Sequence, residues 1–588
     1  MQIKKGIPVS PGVAISRAVV LDAEDLAIPR RPVAAERIGA ELRRLHDALE
    51  ASRRDVEQLR DQTAASIGKD VATIFNAHLA MLQDAHLTEQ FENAIKQRKV
   101  TAEFGVYSVM RSFADKFGQM DNAYLRERAH DVWDLERRIL RQLIGTTHAE
   151  LGQLTHDAVV VAHDLTPSQT AALDKKKIKA LATDIGGRTS HTAILAHALG
   201  IPAIVGLENV TKSVNQGDTV IINGNRGIVI IDPDAAQLME HRQSVLRFAE
   251  LETNLDDLAR EPAVTKDGTS ISLMANIEFA SEIQPAIDKG AEGIGLYRTE
   301  FIFLARNEPP SEQQQFEAYA EAIRALDGKP LTIRTLDLGA DKFHGHGPAD
   351  HVEPNPFLGC RSIRFCLQNL PLFKTQLRAI LRSSVAGPIK VMFPLITSIL
   401  ELRQAKMVFQ DVMEDLEEQD IPFRDAIPVG IMIEVPSAAL QAKMLAREVD
   451  FFSIGTNDLI QYTLAVDRGN ERIASLYSSA HPAVIQLIRD VCRAGKAAGI
   501  EVSLCGEMGG EPEYVMLLLG LGLRIFSITP PAIPEVKKII RSVSIDHCRR
   551  VARKVSTLES EREILNILRE ETRRVAPEVI AGRPMEWP

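Results

Sequence analysis

Eight short apolar runs separated by helical stretches fill the C-terminal half of this chain, and few folds accept that rhythm. They are Ile271 to Ala275, Gly293 to Leu296, Leu331 to Ile333, Ile389 to Met392, Gly430 to Ile433, Phe451 to Ile454, Glu501 to Leu504 and Ile525 to Ser527. Their count and length predict a (β/α)8 barrel, whose active site forms at the C-terminal ends of the strands. Reactive side chains stand at those ends: Arg298 after the second run, Arg334 after the third, Glu434 at the fifth, Asn457 and Asp458 past the sixth, and Cys505 at the seventh.

The N-terminal half has a different pattern. Strand-like runs at Ile7 to Val9 and Val13 to Val20 precede a charge-rich, proline-free stretch from Ala34 to Ile144, with apolar residues at helical spacing such as Ile38, Leu42, Leu45 and Leu49. Breaks near Gly68, Val100 and Gln119-Met120-Asp121 divide it into four segments, which predicts an antiparallel helical bundle. Strand-like runs then return at Ala158 to Ala162, Ile178 to Thr183, Ala203 to Val205, Thr219 to Ile222 and Gly227 to Ile231. The expected organisation is a multidomain α/β protein. A small α/β domain (1–30 and 150–234) is interrupted by a four-helix insertion (31–149), and a polar helical linker (235–262) leads to the barrel with its helical tail (263–588).

A chain of 588 residues exceeds one core, so several domains are expected. A formal charge of −10 without a long basic run argues against nucleic acid as a partner. The five cysteines form no CxxC pair, the N-terminus is broken early by Pro8 and Pro11, and the apolar run Val515 to Leu523 is too short to span a bilayer. These features predict a cytoplasmic protein with no membrane insertion.

Gly186-Gly187-Arg188-Thr189-Ser190-His191 places a histidine at the start of an apolar helix, behind a strand and a glycine turn. Unpaired N–H groups and the helix dipole favour a phosphoryl group there, and a neutral imidazole is a competent acceptor. In the barrel, Glu434 and Asp458 project from adjacent strand ends and suit Mg²⁺, which takes few protein carboxylates and keeps room for substrate oxygens. Arg298, Arg334, Arg361 and Arg468 form a convergent set whose forked guanidinium groups match phosphate and carboxylate. Together they predict a small, multiply anionic, phosphorylated substrate. The segment bearing Arg361 also reads as a helix start. Cys505 reads either as a buried filler or as a proton donor at carbon.

The motifs GGRTSHTAILA (186–196), IPAIVG (201–206), GLYRTEF (295–301), RTLDLGADK (334–342), EPNPFLGCR (353–361) and DFFSIGTNDLIQYTLAVDRGN (450–470) resemble, nearly end to end, the enzyme I family of the bacterial phosphoenolpyruvate:sugar phosphotransferase system. The resemblance implies that His191 accepts phosphate from phosphoenolpyruvate at Nε2 while Thr170 orients it. It implies substrate contacts from Arg298, Arg334, Lys342, Arg361, Asn457, Asp458 and Arg468, Mg²⁺ on Glu434 and Asp458, and protonation of the enolate by Cys505. It also implies that the α/β domain swivels, that the insertion docks the small phosphocarrier HPr through Phe75, His78, Leu79 and Leu82, and that the barrel forms a homodimer. Three positions depart from the family pattern: His197 where many members have arginine, Asn76 where an acidic residue is common, and Pro530-Pro531 where small residues are usual. The related dikinases and synthases need a further nucleotide-binding domain, and no Gly-rich phosphate loop stands here. A docking scaffold or a barrel lyase would leave His191, or the set around Glu434, without a use.

Overall fold

A computed structural model describes residues 2–10, 12–21, 28–66, 74–118, 123–144, 157–165, 177–186, 196, 201–224, 227–235, 237–239, 241, 258–304, 309–339, 355–468, 470, 473 and 476–580. Two compact units divide the chain, Met1–Glu250 and Leu251–Ala581. His191, Thr170, Lys342 and His197 lie outside the described residues, as does most of the expected linker.

The first unit is built on an eight-stranded sheet of order β1-β8-β7-β3-β4-β5-β6-β2. The strands are β1 (Gln2–Lys5), β2 (Ile7–Ser10), β3 (Val13–Leu21), β4 (Ala158–Ala162), β5 (Ile178–Thr183), β6 (Ala203–Val205), β7 (Thr219–Asn223) and β8 (Ile228–Ile231). The central β3-β4-β5-β6 pairs are parallel, and the flanking pairs are antiparallel. The run Ala-Val-Val-Val-Ala of β4 shows why this segment sits centrally. Successive strand side chains alternate between faces, so Val159 and Val161 enter one apolar cluster while Val160 and Ala162 enter another.

Among the described residues between β3 and β4, five α-helices are α1 (Ile38–Ser66), α2 (Ile74–Gln83), α3 (Ala85–Arg98), α4 (Ala102–Gly118) and α5 (Ala123–Ile144). Four segments were expected, and the second is split at Asp84. There Asp84 leaves helical geometry and its carboxylate accepts the His86 N–H, making it an N-cap. Leu45, Leu49 and Val56 of α1 close on Phe91 and Ile95 of α3, Val106 and Met110 of α4, and Leu135 and Ile139 of α5.

In the second unit, β9 (Ser272–Ile277), β10 (Ile294–Tyr297), β11 (Leu331–Arg334), β12 (Ile389–Phe393), β13 (Val429–Ile433), β14 (Phe451–Ile454), β15 (Glu501–Leu504) and β16 (Ile525–Ile528) close into a barrel. All eight neighbouring pairs are parallel, so every C-terminal strand end opens on one rim. Helices such as Glu312–Ala325, Leu370–Ser383, Ile399–Glu418 and Pro482–Ala498 alternate with the strands, and their apolar stripes join the outer strand faces in one large core. The charged tail folds into helices Ile545–Val555 and Glu561–Val575. Their buried Val551, Val555, Ile564 and Leu568 extend the same core. Buried Lys537 donates to the carbonyl of Ala259 at 2.8 Å and Arg541 to that of Pro262 at 2.7 Å, tying residues 259–262 to the helix after β16. Among the described residues no helix is long and apolar enough to cross a membrane.

Candidate active site

Strand ends β11, β13 and β14 bring the central charges together. Arg334, the last residue of β11, is buried, with Nη2 at 2.9 Å from Glu300 and Nη1 at 3.0 Å from Asp337. Its Nε has no hydrogen-bond partner among the described residues, a buried donor that a ligand oxygen would satisfy. Burial works against the charge of Arg334, but Glu300 and Asp337 outweigh it and hold the guanidinium protonated more firmly than usual.

Asp337 is a residue that sequence reasoning did not single out, and it stands at the centre of the cluster. Its two oxygens accept from Arg361 Nη2 at 3.0 and 3.1 Å, and the same Nη2 reaches Asp458 Oδ2 at 3.1 Å. Oxygens of Asp337, Glu434 and Asp458 lie within 4.8 Å of one another. Burial would raise the Asp337 pKa, yet Arg334 and Arg361 hold it below the usual carboxylate range. Glu434 takes the opposite course. Burial first, then the nearby Asp337 and Asp458, push it up to about 8 against the pull of the two arginines. Three carboxylates this close, one of them raised by burial and by its neighbours, form a concentration of negative charge that a cation would relieve. The donor set, all carboxylate oxygen, fits a hard divalent ion.

Two backbone devices aim these groups. Leu395 adopts the left-handed region at φ 52, and its N–H donates to Glu434 Oε1 at 2.6 Å. Gly506 follows Cys505, and a Cβ there would fall 1.8 Å from Thr456 Oγ1, so only glycine lets the β15 end pass the helix that starts at Thr456 and carries Asp458.

The remaining expected residues take looser positions. Arg298, just past β10, pairs with Glu278 at 2.9 Å, and both are about a third exposed. Arg468 is exposed, its Nη2 4.0 Å from Asp458 Oδ1. Asn457 is tied by two bonds to Glu507: its Nδ2 donates to Oε1 at 3.0 Å, and its Oδ1 accepts the Glu507 N–H at 2.9 Å. Cys505, just past β15, is buried in a small cluster with Leu296, Met392, Met432 and Phe451. Leu296 comes from β10 and the others from the consecutive strands β12 to β15, so side chains from separate parts of the barrel wall meet inside it. Burial, aided by Glu434, pushes the Cys505 thiol up to about 11 despite Ser453, Arg334 and Arg298, so it keeps its proton at neutral pH.

The four residues expected to dock a carrier all lie on α2. Phe75, His78, Leu79 and Leu82 are all buried in the bundle core. An apolar stripe at helical spacing serves the nearest core first, and α2 spends this stripe on its own bundle.

The fold and site define a (β/α)8 barrel that gathers arginines and a cluster of three carboxylates at one mouth, an arrangement for handling a phosphorylated anion. Family models agree: the PEP-utilising enzyme PEP-binding domain matches residues 252–545, the N-terminal region of such enzymes 5–128, and their mobile domain 154–227. Phosphoenolpyruvate-protein phosphotransferases align over most of their length. That of Geobacillus stearothermophilus is 42% identical over 96% of this chain and 97% of its own. That of Haemophilus influenzae is 41% identical over 93% and 95%. A solution structure of enzyme I (nEIt) is 39% identical, covering 42% of this chain and 99% of its own, with a TM-score of 0.37. The chain belongs to the phosphoenolpyruvate-protein phosphotransferase family.

Proposed function

We propose that this chain takes the phosphoryl group of phosphoenolpyruvate onto Nε2 of His191 and passes it to a histidine of an HPr-like carrier, the entry step of a sugar phosphotransferase system. The observation that carries this reading is the barrel mouth, where buried Arg334 keeps a donor without a partner beside the cluster Asp337, Glu434 and Asp458. Glu434 and Asp458 would hold Mg²⁺, which when bound supplies positive charge to the transferring oxygens.

Arg334, with Arg298, Arg361, Lys342 and Arg468, binds and orients the anionic substrate, and Asn457 borders it. The ester O–P bond breaks as the N–P bond forms at His191, and the electron pair left on oxygen becomes an enolate. Cys505 Sγ gives its proton to the terminal carbon, pyruvate leaves, and the thiolate regains a proton from water. A thiol held protonated by burial is suited to that role. The α/β domain, with Thr170 orienting His191, then swings to a carrier on the helical insertion. The boundaries 1–30 with 150–234, 31–149, 235–262 and 263–588 define these moving parts.

Two further expectations belong to this reading. Exposed Leu400, Met407, Leu440 and Met444, on the helices after β12 and β13, support a homodimer through the barrel. A cytoplasmic location follows from the carrier chemistry and from five free cysteines.

The deciding experiment incubates the purified protein with phosphoenolpyruvate and Mg²⁺, without nucleotide, and weighs it intact. One acid-labile phosphoryl group, absent in His191→Ala and transferable to HPr, is the expected result. Unchanged mass would refute the relay.

A further inference from the structure

Arg361 occupies the place where the acidic cluster most needs positive charge. One nitrogen, Nη2, touches both oxygens of Asp337 and one of Asp458, and so spans two of the three carboxylates that converge there. The side chain is largely buried, and its charge is sustained by Asp337 and Asp458 against the cost of burial. A divalent ion on Asp458 must bind within about 2.1 Å of its oxygen. A guanidinium nitrogen 3.1 Å from that oxygen is then both in the way and electrostatically opposed.

Its surroundings allow a short excursion. The backbone is fixed: Arg361 bridges Gly339, and the Ser362 N–H donates to Leu338 at 2.9 Å. Among the described residues the guanidinium also meets two soft contacts, the Phe357 ring with its centroid at 5.7 Å and the Tyr462 hydroxyl, which Nη1 reaches at 3.4 Å. Of its two carboxylate partners, Asp337 is held through both oxygens and Asp458 through one. The Asp458 contact is therefore the one to yield, with Asp337 as the pivot.

We propose that Arg361 is the resident counter-ion of this cluster and surrenders Asp458 to an incoming divalent cation, which frees its fork for a phosphoryl oxygen. Metal entry thereby prepares the anion site, and phosphate in turn favours the metal, because coupling between two ligands is reciprocal. The inference rests on the reading of Glu434 and Asp458 as cation ligands.

Two measurements on the full chain test it. Mn²⁺ alone is titrated calorimetrically into wild type, Glu434→Gln and Arg361→Gln. Arg361→Gln should bind on the order of ten-fold more tightly than wild type, and Glu434→Gln should lose binding. Phenylglyoxal modification of Arg361, mapped by peptide mass in the wild-type protein, should be slow without metal, several-fold faster with Mg²⁺ alone, and suppressed when inorganic phosphate is added. The second measurement needs no variant to fold. Mn²⁺ binding that depends on Glu434, combined with an Arg361 whose reactivity Mg²⁺ leaves unchanged or lowers, overturns the counter-ion role alone. Absence of Glu434-dependent binding in wild type overturns the cation reading and this inference with it.

Discussion

The backbone N–H of Leu395 donates to Oε1 of Glu434 at 2.6 Å, from a left-handed conformation that a leucine rarely adopts. The loop after β12 accepts local strain to fix one oxygen of a carboxylate carried on the neighbouring strand end. Glutamine keeps an oxygen for that bond and cannot ionise, so it escapes the cost that burial and then Asp337 and Asp458 impose on the glutamate. Glu434→Gln is therefore expected to unfold later than wild type in the absence of divalent ions, by roughly 2 °C or more. Mg²⁺ is expected to raise the melting temperature of the wild-type protein and to leave that of the variant unchanged. Calorimetry with and without Mg²⁺ reads both, and a variant that still responds to Mg²⁺ would exclude Glu434 as a ligand.

Cys505 gives a pH prediction. Its ordinary pKa of 9.0 rises to about 11 in the fold, chiefly through burial. The unfolded chain thus releases this proton before the native one does, so the contribution is unfavourable to the native state above the ordinary value. Stability from this group is level below about pH 9, falls between about pH 9 and 11, and levels again above that. Cys505→Ala should lose this part of the alkaline slope. In turnover the same variant should form pyruvate at least 10²-fold more slowly, the usual range for a removed general acid. A normal rate would assign the proton to another group.

Arg334 is a buried charge between two carboxylates. Removing one member of such a cluster strands the others, so Arg334→Gln should cost about 3–5 kcal/mol in denaturant unfolding of the barrel. Arg334→Lys should recover part of the stability and little of the phosphotransferase rate, because an ammonium lacks the fork that meets Glu300 and Asp337 together.

Gly506→Ala tests the packing that supports Asp458. A methyl 1.8 Å from Thr456 Oγ1 and 2.7 Å from its backbone nitrogen must displace the first turn of the helix bearing Asn457 and Asp458. The expected result is about 1–3 kcal/mol of lost stability together with weaker Mn²⁺ binding. Pairing it with Thr456→Ser, which keeps the hydroxyl and backbone in place, should restore neither. Unchanged unfolding and metal affinity would mean that Thr456 moves aside freely.

What the sequence made legible follows from burial. Strands covered on both faces read as continuous apolar runs, which is why the fully buried β14 falls at the expected residues; β15, Glu-Val-Ser-Leu with an exposed start, falls there too on a weaker signal, and the other barrel strands differ only at their ends. β1 escaped notice because Gln-Ile-Lys-Lys is an exposed edge strand held to β8 by backbone pairing, with little apolar signal. The split at Asp84 was hidden because a cap interrupts the backbone without interrupting the apolar spacing of α2 and α3.

The site shows the same divide. Arg334, Glu434 and Cys505 were visible because each stands at or next to a strand end, and barrel geometry gives that position meaning; Asp458, in the helix that follows β14, was read with Glu434 as a carboxylate pair. Asp337 stands three residues past its strand, and its role comes from Arg361 and Asp458, which the closed barrel brings to it from distant parts of the chain. Phe75, Leu79 and Leu82 on α2 join the bundle core, and spacing alone does not say which neighbour an apolar stripe will meet.

The parallel pairing of β3 with β4 has a mechanical consequence. Arg17 to Leu21 run beside Ala158 to Ala162 in the same direction, so the chain leaves for the five helices from one end of this pair and returns at the other. Tension between the two stems therefore loads the inter-strand bonds together, in shear, instead of peeling them one by one.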